Sequence, residues 1–92
     1  MRQIGHYIDG KNIAGNSGRT ADIYNPNTGQ VQAKVALANP AEIDAAVDSA
    51  EEAQRIWANT NPQRRARVMF DYKQLLHKHM DELAELLSLE HA

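Results

Sequence analysis

The chain has 92 residues, no Cys, and 10 Lys and Arg against 12 Asp and Glu, a formal charge of -2. That length holds one small domain. The missing thiols exclude a disulfide framework, a thiolate zinc site and a cysteine nucleophile within these residues, and the charge gives no electrostatic footprint for nucleic acid or an anionic membrane.

No apolar run approaches the ~20 residues that cross a bilayer, and Met1 to His6 lacks the apolar core of a secretory signal. A cytoplasmic location is expected. Val, Ile, Leu and Phe together make only 18 of the 92 residues, so the core should be thin, while 14 Ala favour helix over coil.

All five Gly fall before residue 30, and the composition shifts near Asn39 from Gly- and Asn-rich to Ala-, Leu- and charge-rich. Residues 1–38 are read as a β-hairpin region and residues 39–92 as a helical region, together one incomplete domain. In the first, Asp9-Gly10 between short β-capable runs suits a two-residue hairpin turn, because both residues tolerate positive φ. Gly15-Asn16-Ser17-Gly18 reads as a loop. Thr20 to Tyr24 reads as a strand, Asn25 to Gly29 as a turn set by Pro26 and Gly29, and Gln30 to Leu37 as the return strand. In that last run Val31, Ala33, Val35 and Leu37 alternate with polar residues, the pattern of a sheet with one covered face.

Asn39-Pro40-Ala41-Glu42 has the residues of a helix start: a side-chain acceptor, Pro at the first helical position and a Glu placed for a capping box. Ile43, Ala46, Val47, Ala50, Ala53 and Trp57 then recur at helical spacing, and the helix should end near Asn59. This mostly Ala stripe suits a closely packed neighbour. Asn61-Pro62 repeats the start signal, with Ala66, Met69, Leu76 and Met80 on the next stripe. A break near His79 is expected, with Asp81 as a fresh N-cap and Glu82 and Glu85 in the first turn of a third helix. Leu83, Leu86, Leu87 and Leu89 spread over more than one side of that helix, which implies partners on two sides.

The chemistry-bearing residues form no convincing site. His77 and His79 flank Lys78 and point to different sides of a helix, so they cannot share an ion, and His77 with Asp81 could do so only on an unbroken helix. His6 and His91 have no neighbouring ligands in sequence. Arg64, Arg65 and Arg67 read as a solvated or ion-paired face, since a helix N-terminus disfavours cations and the Gly-rich phosphate-binding turns are missing. The adjacent acids Glu51-Glu52 and Asp81-Glu82 diverge around their helices, and no Ser has a G-x-S-x-G setting.

The ordered set Tyr7-Ile8-Asp9-Gly10-Lys11, Ile23 to Val31, Trp57, Arg64 to Met69 and Asp81-Glu82-Leu83-Ala84 through Leu89-Glu90-His91 resembles the N-terminal segment of the aldehyde dehydrogenase superfamily. Arg64 to Phe70, Leu75-Leu76 and Glu90-His91 are most similar to its CoA-acylating methylmalonate-semialdehyde dehydrogenase branch. The resemblance implies an α+β fragment: two short antiparallel β-hairpins followed by two to three α-helices, the start of an α/β NAD-binding domain. It implies an oxidoreductase, usually oligomeric, in which a cysteine thiolate attacks an aldehyde, hydride leaves to NAD and the acyl group is released to CoA. The catalytic Cys, the acidic base and the nucleotide-binding turns belong to other family segments, so no catalytic, cofactor-binding or metal-binding residue is assigned here. Many members hold a structural monovalent cation, and Tyr24 and Glu90 match positions around it, with a third segment needed to complete it. Ala92 stands where the family pattern continues Gly-Lys, which reads as a truncation.

The expected role is therefore a structural fragment of such an enzyme, inactive alone. Its partner is expected to be the remainder of the parent or another copy of itself as a homo-oligomer, with no nucleic acid or membrane. The other reading is a small self-associating interaction module without enzymatic activity.

Overall fold

The computed structural model describes residues 1–91 and contains five strands and three helices: β1 (Arg2–Ile4), β2 (His6–Ile8), β3 (Lys11–Ile13), β4 (Thr20–Tyr24), β5 (Val31–Ala36), α1 (Pro40–Ala58), α2 (Pro62–Lys78) and α3 (Met80–His91). Both expected hairpins are present. β2 pairs antiparallel with β3, with His6 opposite Ile13, and their turn has positive φ at Asp9 (53°) and Gly10 (71°), the geometry that a two-residue hairpin requires.

β4 and β5 pair antiparallel with Ile23 opposite Ala33. Their connection is closed by Gly29 N–H donating to the Asn25 carbonyl (2.8 Å) and Asn27 N–H donating to Asn25 Oδ1 (2.9 Å), an Asx turn of the kind Asn favours. One strand goes beyond the sequence reading: β1 runs parallel to β5, placing Arg2 opposite Ala33 and giving the order β1-β5-β4. β5 is thus central, and its Ala33 is the buried core residue, at 1% exposure. A three-residue edge strand carries too little periodicity to be read locally.

α1 begins as its sequence dictates. Glu42 N–H donates to Asn39 Oδ1 (2.8 Å), Asn39 N–H donates to Glu42 Oε1 (3.1 Å), and Pro40 follows the cap. Asn59 ends the helix, its side-chain amide donating to the Arg55 carbonyl (2.8 Å). Asn61 Oδ1 accepts from Arg64 N–H (2.8 Å) at the start of α2.

The break at His79 is also present, but Asp81 is not the N-cap. α3 starts at Met80, so Asp81 lies in the first helical turn with Glu82. His79 occupies the junction, its backbone N–H donating to the Leu75 carbonyl (3.0 Å), while its ring approaches the Glu82 carboxylate (Nδ1 to Oε2, 3.1 Å). The ring and Glu82 sit three residues apart, the reach of a capping pair.

The Ala stripe on α1 faces β2 across open clefts and is not packed tightly on it, and none of the three helices contains a fully buried residue. The described residues form a plate of 47 × 36 × 16 Å with a radius of gyration of 16.9 Å, against about 12 Å for a compact chain of this length. A helix with its side chains is itself about 10–12 Å across. With a radius of gyration well above the compact value and no fully buried residue in any of the three helices, the described residues do not close a two-layer core of their own.

Candidate functional site

The Glu42 side chain joins several parts of the fold. Besides closing the capping box, its Oε2 accepts the backbone N–H of Asn16 (3.2 Å) and lies 3.5 Å from His6 Nε2, with both side chains largely shielded from solvent. Asn39 Nδ2 donates to Asn16 Oδ1 (2.7 Å), and Ser17 Oγ donates to the Leu37 carbonyl. Three segments, namely β2, the 15–17 loop and the first turn of α1, thus meet at one carboxylate, and Ser17 ties that loop to the end of the sheet.

Gly15 makes that meeting sterically feasible. Its φ is +85°, and a Cβ there would sit 3.1 Å from His6 Nε2, 3.3 Å from Ala36 Cβ and 3.4 Å from Glu42 Oε2. Only Gly enters such a position without strain. The anionic Glu42 also sits where the α1 dipole favours negative charge.

Beside this knot a cleft of about 340 Å³ opens between β2 and α1, lined by His6, Tyr7, Ile8, Glu42, Ile43 and Val47 among others. It is largely apolar, and the surface continues along the Ala stripe past Ala50 and Ala53 towards Ile56. Glu42 is bound on both oxygens and serves to hold segments together. Nothing in the cleft pairs an activated nucleophile with a base.

The other residues singled out in the sequence are kept apart. His77 lies in α2 and Asp81 in α3, on opposite sides of the break. Among the described residues no three His, Asp or Glu side chains come together as a metal set. Glu90 lines a second cleft with Arg2, Gln32, Leu86 and Leu89. Tyr24, half exposed at the end of β4, is not part of that lining.

Arg64, Arg65 and Arg67 occupy the first turns of α2, and none makes an ion pair among the described residues. The partnership of His6 with Glu42 escaped the sequence because the two lie 36 positions apart and the capping-box motif that marks Glu42 says nothing of His6. A lone His at the start of a hairpin strand gives no signal of its partner.

The family model for the aldehyde dehydrogenase family matches residues 13–92. The chain belongs to the aldehyde dehydrogenase family. Among curated relatives, it is 46% identical over 89 residues to malonate-semialdehyde dehydrogenase 3 of Geobacillus kaustophilus, covering 97% of this chain and 18% of that protein. It is 41% identical over 91 residues to malonate-semialdehyde dehydrogenase of Pseudomonas aeruginosa, covering 99% and 18%.

Among solved structures, a Sinorhizobium meliloti 1021 protein assigned to methylmalonate-semialdehyde dehydrogenase and complexed with NAD superposes with a TM-score of 0.93 at 59% identity, over 99% of this chain and 18% of that one. Methylmalonate-semialdehyde dehydrogenase of Oceanimonas doudoroffii superposes with a TM-score of 0.92 at 38% identity, with the same coverage. The chain therefore spans about one fifth of the length of the relatives it matches, and the α+β arrangement of hairpins and helices is that of the corresponding part of these enzymes. No helix among the described residues is long and apolar enough to cross a membrane.

Proposed function

We propose that the chain is a structural segment of an NAD-dependent aldehyde dehydrogenase of the methylmalonate-semialdehyde type, and that it has no activity by itself. The parent oxidises a semialdehyde to a CoA thioester and reduces NAD, using a cysteine and nucleotide-binding turns supplied by the rest of the polypeptide. The hairpin region and the helical region are together one incomplete domain, and the parent is a cytoplasmic oligomer.

One observation carries this reading. The fold matches its place in full-length relatives with TM-scores of 0.92 and 0.93, yet its three helices bury no residue of their own. Helices without a fully buried residue gain little from burial of apolar area, the main favourable term in folding. Completion by the remaining four fifths of such an enzyme supplies the missing layer.

The test is a chimera in which this chain replaces the matching segment of the Sinorhizobium meliloti relative, beside the 92-residue chain alone. NADH formation is followed with malonate semialdehyde and methylmalonate semialdehyde, with and without CoA. The chimera is expected to form NADH in a CoA-dependent manner, and the chain alone is expected neither to form NADH nor to give binding heat with NAD. A folded but inactive chimera, or NADH formation by the 92 residues alone, overturns the reading.

A further inference from the structure

Asp9 is the one Asp in the sequence that is followed by Gly. Asp22 precedes Ile23 in β4, and the other four Asp lie in helices before bulkier residues. Asp9 is also the one non-Gly residue with a positive φ among the described residues, and the positive φ of Gly10 beside it makes the hairpin turn type I′.

The reactive groups of this turn are not tied down. The turn is closed by the residue after Gly10, with Lys11 opposite Ile8, and the Gly10 N–H itself makes no backbone hydrogen bond among the described residues. The Asp9 carboxylate takes part in none of the three ion pairs there.

We infer that Asp9-Gly10 is a site of covalent modification, at which Asp9 isomerises to isoaspartate at a rate set by the opening of the β2–β3 hairpin. The Gly10 nitrogen attacks Cγ of the protonated Asp9 carboxyl: the N–Cγ bond forms, the Cγ–OH bond breaks, and the hydroxyl leaves with the amide proton as water. Water then opens the resulting five-membered succinimide. Cleavage at the main-chain carbonyl leaves the chain running through Cγ as isoaspartate, whereas cleavage at Cγ restores aspartate, and neither route needs a redox partner. Gly10 suits the attack because it has no Cβ beside the nitrogen.

The paired hairpin opposes ring closure. In a type I′ turn the first central residue has ψ near roughly +30°, which sets the Gly10 nitrogen anti to the Asp9 Cβ about the Cα–C bond, away from Cγ. Closure needs the two on the same side, a rotation that the turn permits only when β2 and β3 part. Strands of three residues resist that parting, and a two-stranded hairpin alone is marginally stable. Isoaspartate adds one atom to the main chain, and the longer loop no longer sets Ile8 opposite Lys11, so the modified hairpin cannot regain its register. Attacking nitrogen and attacked carboxyl belong to one dipeptide, so the inference does not depend on what covers the faces of the plate and stands apart from the enzyme reading.

The experiment incubates the 92-residue chain at neutral pH in buffer and in urea, with Gly5→Ala in buffer beside it, and follows Asp9 by peptide mapping with electron-transfer fragmentation, which tells isoaspartate from aspartate. In Gly5→Ala the new Cβ overlaps the Ile13 carbonyl and forces β2 and β3 apart. Isoaspartate is expected at Asp9 ahead of every other Asp, about tenfold more slowly in buffer than in urea, and Gly5→Ala in buffer is expected to approach the urea rate. Equal wild-type rates in buffer and urea, or no isoaspartate at Asp9 in urea, overturn the inference. So does a Gly5→Ala chain that keeps its helices and isomerises no faster than wild type. Should circular dichroism show Gly5→Ala unfolded, the wild-type ratio between buffer and urea decides.

Discussion

Asn39 and Glu42 hold each other reciprocally, side chain to backbone in both directions at 2.8 and 3.1 Å, while each also reaches Asn16 in the loop 23 or more residues earlier. A helix cap is here also a tertiary clamp. Asn61 does only the first of these jobs, accepting one bond from Arg64 N–H. Asn39→Ala should therefore cost about 1–2 kcal/mol and Asn61→Ala nearer 0.5–1 kcal/mol, measured by urea denaturation of the chain under conditions where the wild type is folded. Equal losses would mean that the loop bonds add nothing.

Two glycines should respond very differently to a methyl group. At Gly10 nothing lies within 4 Å of a new Cβ, so Gly10→Ala meets only the positive φ of 71° and should lose about 1–2 kcal/mol. At Gly5 the Cβ would overlap the backbone carbonyl of Ile13, which cannot move without parting β2 from β3. Gly5→Ala should abolish the hairpin cross-peaks in a nuclear Overhauser spectrum that Gly10→Ala retains. Survival of the His6 to Ile13 pairing in Gly5→Ala would refute this.

Leu87 is 62% exposed on α3. Leu87→Ala in the 92-residue chain should change stability by less than about 0.5 kcal/mol, whereas the same change in the chimera should cost about 2–5 kcal/mol if the rest of an enzyme covers it. Thermal melts of both proteins make the comparison. A large loss in the short chain would show that Leu87 is already covered there.

Gln32 Nε2 donates to the Leu89 carbonyl at 2.9 Å, tying the last turns of α3 to the central strand across 57 positions. Gln32→Ala should speed amide exchange in the last turn of α3 severalfold, the effect of losing about 0.5–1.5 kcal/mol, and leave α1 unchanged. Exchange that accelerates along all three helices would instead mark a general loss of stability.

What the sequence reveals of this fold follows the range of the forces involved. Asn39-Pro40-Ala41-Glu42, Asn61-Pro62 and Asp9-Gly10 act within four residues, so the helix starts and the first turn are legible directly. β1 is not, because its partner β5 lies some thirty residues away and three residues hold no period. Asp81 has good N-cap chemistry, but α2 ends at Lys78 and leaves His79 as the junction, two residues earlier than a new cap at Asp81 would need.

The candidate site divides in the same way. Glu42 is legible as half of a capping box; its contacts with His6 and Asn16 depend on how the hairpin and loop fold back. The charge on α1 and α2 can be counted in the sequence, but that no ion pair joins these two helices is visible only in three dimensions. The resemblance to aldehyde dehydrogenases rests on the ordered string of short motifs and needs none of this geometry.

Arg2 and Glu90, near opposite ends of the polypeptide, line the same cleft, with Gln32 between them reaching α3. Within the described residues β1 and α3 therefore share one corner, so a change in that corner reaches the sheet and the third helix together.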